Sequence, residues 1–211
     1  MKYSEQFKKH KYLTDKCGPH TYGTEVYDDL FEPIQHTVKN YLEVGSAYGG
    51  SALLARDYFT RATIWTADIE QPNWRMNRGE RIIHVMSDAY TKKVADMFPA
   101  QMDIIIDDGS HFIEDQCKMI ELYLEKLMPL GYFIIEDVQK HEVNFPILEK
   151  EVDKFLQRYK GSKNMWLDFE ITTYVGPEYI KEGPQYEDPG SLTKPGTRSK
   201  DDNLYILQRT A

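Results

Sequence analysis

The chain has 211 residues, with 26 Lys and Arg against 34 Asp and Glu, a formal net charge of −8 at neutral pH. At 41% hydrophobic and 28% charged residues it has the balance of a folded domain, large enough to bury a core around one sheet. The acidic excess, with no local Lys/Arg cluster, argues against nucleic acid as a partner, and no apolar run is long enough for a membrane span.

The two cysteines, Cys17 and Cys117, form no CxxC pair, which rules against a disulfide framework or a zinc knuckle. The opening residues Met1 to His10 lack the apolar stretch of a secretion signal, so a cytoplasmic protein is expected, one domain over 1–211. Residues 1–40 are polar and aromatic, broken by Gly18-Pro19 and Gly23, with a helix predicted over 25–39 despite Pro33.

From residue 41 the pattern becomes regular. Tyr41 to Val44 reads as a buried strand ending in a glycine turn, and Ser51 to Phe59 as the helix that follows. Thr63–Asp68, Arg81–Met86 and Met102–Asp107 read as strands, the last with the unbroken β-branched run of a strand covered on both faces. Ile113 to Met128 reads as an amphipathic helix closed by Pro129 and Gly131. A strand over Tyr132–Glu136, a helix over Phe145–Tyr159 and two late strands, about 168–175 and 203–209, complete the chain. This alternation predicts an α/β, Rossmann-like doubly wound sheet, mostly parallel and seven-stranded, with the last two strands as an antiparallel edge hairpin. The loop over 176–202 is long enough to serve as a lid over a substrate.

Three groups of residues carry chemistry. In Glu43-Val44-Gly45-Ser46-Ala47-Tyr48-Gly49-Gly50-Ser51 a strand, a glycine turn and a helix start offer backbone N–H groups to a polar or anionic ligand. Ala47 stands at the central position of G-x-G-x-x-G, which weakens a dinucleotide reading. Asp68, 23 residues after Gly45, suits a carboxylate that grips ribose hydroxyls, and Ser87-Asp88-Ala89 could meet an adenine ring. Asp107-Asp108-Gly109-Ser110-His111 and Glu136-Asp137 follow two consecutive strands, so Asp108, Glu136 and Asp137 are expected to converge at one sheet edge. Three carboxylates repel one another; a divalent cation removes that cost, and all-oxygen ligation favours Mg²⁺ or Mn²⁺. His111 is placed as the general base.

Leu42-Glu43-Val44-Gly45 with Gly49-Gly50-Ser51 resembles motif I of class I S-adenosylmethionine (SAM) methyltransferases. Ile106-Asp107-Asp108-Gly109-Ser110-His111 and Ile135-Glu136-Asp137, 28 residues from Asp108 to Glu136, resemble the metal-dependent sugar O-methyltransferases of the mycinamicin type. Thr14-Asp15-Lys16 and His20-Thr21-Tyr22 are similar to the segment that precedes motif I in that family. The resemblance implies a SAM site lined by Glu43, Gly45, Ser46, Gly49, Ser51, Asp68, Asp88 and Asp107, and Mg²⁺ on Asp108, Glu136 and Asp137. It implies His111 and Asp108 as catalytic residues, residues 1–40 as a cover over substrate and cofactor, and a sugar-like hydroxyl acceptor. A metal-dependent hydroxylase or oxygenase, an NAD-dependent oxidoreductase and a non-catalytic SAM-binding module stand as alternatives, and a homo-oligomer is left open.

Overall fold

The computed structural model describes residues 1–10, 12–17, 20–70, 80–159, 169–176 and 203–210. Seven strands form one sheet: β1 (Asn40–Val44), β2 (Thr63–Asp68), β3 (Ile82–Met86), β4 (Met102–Asp107), β5 (Leu127–Ile135), β6 (Phe169–Val175) and β7 (Asn203–Arg209). Their order is β3-β2-β1-β4-β5-β7-β6. The first five are parallel, and β7 runs antiparallel to both β5 and β6. The expected doubly wound sheet with an antiparallel edge pair is therefore present, with β7 inserted inside β6.

Alternate residues of each strand point to opposite faces, and the apolar runs cover both. Leu42, Ile105, Phe133, Ile135 and Leu207 pack under α4 (Lys92–Ala95), α5 (Ile113–Tyr123) and α6 (His141–Tyr159). Tyr41, Ile104, Ile106, Ile134 and Ile206 face the N-terminal segment and α3 (Gly50–Tyr58). That second face is built largely from aromatic rings. Tyr3 is fully buried on α1 (Tyr3–His10), with edge-on ring contacts to Tyr27, Phe31 and Tyr58 at centroid distances of 5.9, 5.4 and 5.1 Å. Ser4 ties α1 down: its N–H and hydroxyl donate to the buried Asp28 carboxylate at 2.8 and 2.7 Å. Helix α1 is not legible in the sequence because eight mostly polar residues with aromatic side chains only at Tyr3 and Phe7 carry almost no periodic signal.

Several elements differ from expectation. The helix predicted over 25–39 is instead a π turn (Gly23–Tyr27), a single α turn α2 (Asp28–Phe31) and a 3₁₀ turn (Glu32–Ile34), because Pro33 lacks the N–H that would continue the α ladder. The helix predicted to Met128 ends at Tyr123 in a 3₁₀ turn, and β5 begins at Leu127, where pairing with Met102 takes over the same apolar run. Helix α6 begins at His141 rather than Phe145, with Pro146 inside it. The four-residue α4 was too short to leave a pattern. The loop expected to act as a lid, 176–202, lies outside the described residues beyond Gly176.

The ends of β1, β4 and β5 are level. Gly45 N–H donates to Ala67 at 2.9 Å, Asp108 N–H to Val44 at 2.8 Å and Glu136 N–H to Asp107 at 2.9 Å. One more rung past each strand therefore carries Gly45, Asp108 and Glu136 to the same carboxyl edge. This is the edge at which open α/β sheets bind ligands.

Candidate active site

The glycine turn after β1 is a left-handed structure. Gly45 has φ +81°, and a Cβ on it would stand 1.9 Å from the backbone oxygen of Asp108, so only glycine lets the β1 and β4 ends approach this closely. Gly49, at φ +80°, caps α3, and Ala47 holds φ +41° despite its side chain. Asp68 secures the turn from β2, its Oδ2 accepting the Ala47 N–H at 2.8 Å. Glu43 and Ser46 are buried at its base; the Lys16 ammonium lies 3.3 Å from Glu43 Oε1, while Glu43 Oε2 and the Ser46 Oγ make no hydrogen bond. Burial raises the Glu43 carboxyl above its ordinary value, with Lys16 opposing. Ser51 sits buried in the first turn of α3.

Asp107 closes this half from β4. Its Oδ1 accepts the Tyr90 hydroxyl at 2.8 Å, its Oδ2 has no partner, and burial pushes the carboxyl up to about 7. Asp88 is exposed and spends one oxygen on the Tyr90 N–H at 2.9 Å, which fixes the turn carrying that tyrosine. Three buried side chains, Glu43, Ser46 and Asp107, thus keep unsatisfied polar atoms at one sheet edge. Such atoms are costly unless a ligand or water completes them. They fit the hydroxyl and amino donors of a cofactor.

The second half holds Asp108, His111 and Asp137. Each offers one ligand atom within 4.8 Å of the others, and His111 Nε2 lies 4.0 Å from Asp137 Oδ2. His111 and Asp137 both have left-handed backbones, φ +57° and +52°, an arrangement that costs energy and persists where the surroundings dictate it. Burial pushes the Asp108 carboxyl well above its usual range; the Lys16 ammonium opposes this, and the Glu136 and Asp137 charges reinforce it. Among the described residues the cluster has one imidazole and two carboxylates, not the two imidazoles and one carboxylate that an iron oxygenase uses.

Glu136 is placed differently from expectation. It is fully buried, and its carboxylate is taken by the Lys16 ammonium, by the Tyr22 hydroxyl at 3.2 Å and by the Tyr27 hydroxyl. The structure therefore brings Asp108 and Asp137 together with His111, and gives Glu136 to a charge network one layer deeper. Lys16 is the centre of that network. Its Nζ lies 2.6 Å from Asp108 Oδ2 and 3.3 Å from Glu43 Oε1, and it also donates to Glu136. Burial works against its charge, but Asp108, Glu136 and Glu43 together outweigh burial and hold the ammonium above its ordinary range. No role for Lys16, Tyr22, Tyr27 or Tyr90 is legible in the sequence; Lys16 and Tyr22 stand there only within the segment preceding the glycine turn. A lone lysine in a polar segment reads as solvated, and nothing local says it will be buried.

No family model matches the chain. In sequence it is 31% identical over 135 residues to the 8-demethyl-8-alpha-L-rhamnosyl tetracenomycin-C 2'-O-methyltransferase of Streptomyces olivaceus, covering 60% of this chain and 35% of that protein. It is also 31% identical over 140 residues to the demethylmacrocin O-methyltransferase of Streptomyces fradiae, covering 61% of this chain and 34% of that one. The chain thus spans about a third of the length of the curated relatives it matches. Among solved structures, the MycE methyltransferase from the mycinamycin biosynthetic pathway, in complex with Mg and SAH, superposes on the whole chain and 55% of its own, at a TM-score of 0.65 and 18% identity. The chain has the fold of the class I SAM-dependent methyltransferases, and its sequence resembles the sugar O-methyltransferases of Streptomyces over three fifths of its length.

Proposed function

We propose that the chain is a SAM-dependent O-methyltransferase that moves a methyl group to a hydroxyl of a sugar-bearing small molecule, with a divalent cation in the acceptor half of its site. The observation that carries this reading is the juxtaposition at one sheet edge of two unlike halves. One is a glycine turn over the unsatisfied Glu43, Ser46 and Asp107; the other is the cluster of Asp108, His111 and Asp137. The names of the sequence relatives support the transfer, and their glycosylated compounds support the acceptor class.

The two halves divide the labour. Glu43 and Asp107 would accept hydrogen bonds from the cofactor, and Gly45, lacking a side chain, would let it approach the backbone of the turn. Asp108 and Asp137 suit a hard cation such as Mg²⁺ or Mn²⁺, which supplies Lewis acidity that lowers the pKa of a chelated hydroxyl. Such a cation prefers carboxylate oxygens and water, which leaves the His111 imidazole available to take the hydroxyl proton. The remaining contribution would be alignment: the two halves of the site would hold the acceptor hydroxyl beside the cofactor, which would supply the methyl group and leave as the thioether. No covalent intermediate with the protein is required.

The test is binding first and turnover second. SAH at about 100 times its Kd adds roughly 2.7 kcal/mol, a melting shift of about 5–10 °C for a chain of this size. NAD at the same concentration should give none. With SAM and a panel of methyl glycosides, His111→Ala should cut turnover about 10²–10⁴-fold while SAH affinity stays within about twofold. No shift with SAH, with or without Mn²⁺, in folded protein would remove the reading; full turnover by H111A would remove the base.

A further inference from the structure

Among the described residues Lys16 is the one buried cation beside the acidic groups of this site, and the proposed reaction gives it no part. Its side chain is fully buried, while Glu43 and Glu136 are fully buried around it and Asp108 is partly exposed. The ammonium reaches Asp108 Oδ2 at 2.6 Å, an oxygen that belongs to the same carboxylate offered to a cation together with His111 and Asp137. Asp108 therefore holds one positive group that is a fixed part of the chain, and the same carboxylate would serve an exchangeable cation. The chain also holds Lys16 in place from outside the acidic cluster. Its backbone oxygen accepts the Gly23 N–H at 2.8 Å, where a Cβ on Gly23 would come within 2.2 Å of that same oxygen. Tyr22, just before the adjoining π turn, and Tyr27, at its end, hold Glu136 opposite it.

We propose that Lys16 is a positioning residue that serves as the resident counter-cation of the site: it keeps Glu43, Asp108 and Glu136 together when no divalent cation is bound, and it weakens cation binding by competing for Asp108. When a cation takes the Asp108 carboxylate, the ammonium withdraws to Glu136 and Glu43, and those two keep their charge partner. Lys16 thereby sets how much cation is needed to fill the acceptor half, and links that half to Glu43 beneath the cofactor turn. The inference rests on the cation-dependent reading of Asp108 and Asp137 given above.

The sign of the effect separates this role from a purely structural one. Removing a positive charge a few ångströms from a cation site must strengthen cation binding, by at least about tenfold at the dielectric of a partly buried pair. A lysine that merely props up the fold would, when removed, leave cation affinity unchanged or weaker. The experiment is titration of Mn²⁺, followed by its electron paramagnetic resonance, into wild type, Lys16→Met and Lys16→Arg, with SAH affinity measured alongside by calorimetry. K16M is expected to melt lower than wild type without metal, to bind Mn²⁺ at least about tenfold more tightly, and to gain more melting temperature from it. K16R, which retains the charge, is expected to bind Mn²⁺ within about threefold of wild type. Equal Mn²⁺ affinity in K16M and wild type, or weaker affinity in K16M, overturns the proposal.

If K16M does not fold, the wild-type protein still decides the matter. With ¹⁵N-labelled lysine, the ammonium resonance that K16R lacks should shift on adding Mg²⁺. A resonance that does not move at saturating Mg²⁺ overturns the proposal. Wild type that binds neither SAH nor Mn²⁺ instead overturns the methyltransferase reading, whereas wild type that binds both beside an unresponsive Lys16 overturns this inference alone.

Discussion

At Gly45 and Ala47 the same turn asks for left-handed backbone twice, and only one of the two positions has room for a side chain. Gly45 abuts the Asp108 backbone, so Gly45→Ala adds an atom at 1.9 Å to a φ of +81°. It is expected to lower stability by at least about 2 kcal/mol and to abolish SAH binding, since strain of about 1–2 kcal/mol is joined by a clash that separates β1 from β4. Ala47 is exposed and already carries its Cβ at φ +41°. Ala47→Gly should therefore change stability by less than about 1 kcal/mol, because relief of strain offsets the added freedom of the unfolded chain. Urea denaturation of the two variants measures both, and equal losses would contradict the steric account. The turn was legible in the sequence because glycine advertises such backbone directly. His111 and Asp137, equally left-handed, were legible only as chemistry, since neither residue type announces its φ.

Elements with strong periodic or β-branched signals were read correctly, and those that depend on tertiary partners were not. Strand β4 could hardly be anything else, with Ile104, Ile105 and Ile106 covered on both faces. Helix α5 shared its last apolar residues with β5, and pairing with Met102 decided their state; the sequence window contains no trace of Met102. The acidic pair after β5 shows the same limit at the site: adjacency predicted that Glu136 and Asp137 would act together, whereas Lys16, 120 residues away, draws the Glu136 carboxylate to itself. Pro146 is the clearest case of a local signal overruled. It sits in the sixth position of α6, where it cannot donate to Glu142 and crowds the preceding turn. Helix α6 forms around it because Leu148, Val152 and Phe155 bury one stripe against the sheet. Pro146→Ala restores the missing donor and is expected to stabilise the protein by about 1–2 kcal/mol, the gain being reduced by the looser unfolded chain. Thermal melting reads the difference; a lower melting temperature would mean that the proline sets a bend on which packing depends.

Over the whole molecule, both apolar faces hang on one sheet. The aromatic N-terminal layer and the α4–α6 layer share strands β1, β4, β5 and β7, with alternate residues committed to each. Neither layer has a core without the other's strands, so denaturation is expected to be one cooperative step, with tryptophan fluorescence and far-ultraviolet circular dichroism tracing the same curve. Two separated transitions would show that the aromatic layer melts by itself. Among the described residues no helix is long and apolar enough to cross a membrane. The strand order has a consequence in time. Among the described residues strand β6 pairs only with β7, and β7 leaves the ribosome some thirty residues later. A nascent chain can therefore assemble β1 to β5 and the carboxylate edge while β6 has nowhere to dock, and the edge of β5 stays open as a template for foreign strands. Arrival of 203–209 fills that edge and anchors β6 in a single event, with Asn203 locking the turn at Val138 by a 2.9 Å hydrogen bond. The chain is thus exposed to mispairing longest at the place where its sheet turns antiparallel, and translation rate between β6 and β7 should govern how much of it reaches the folded state.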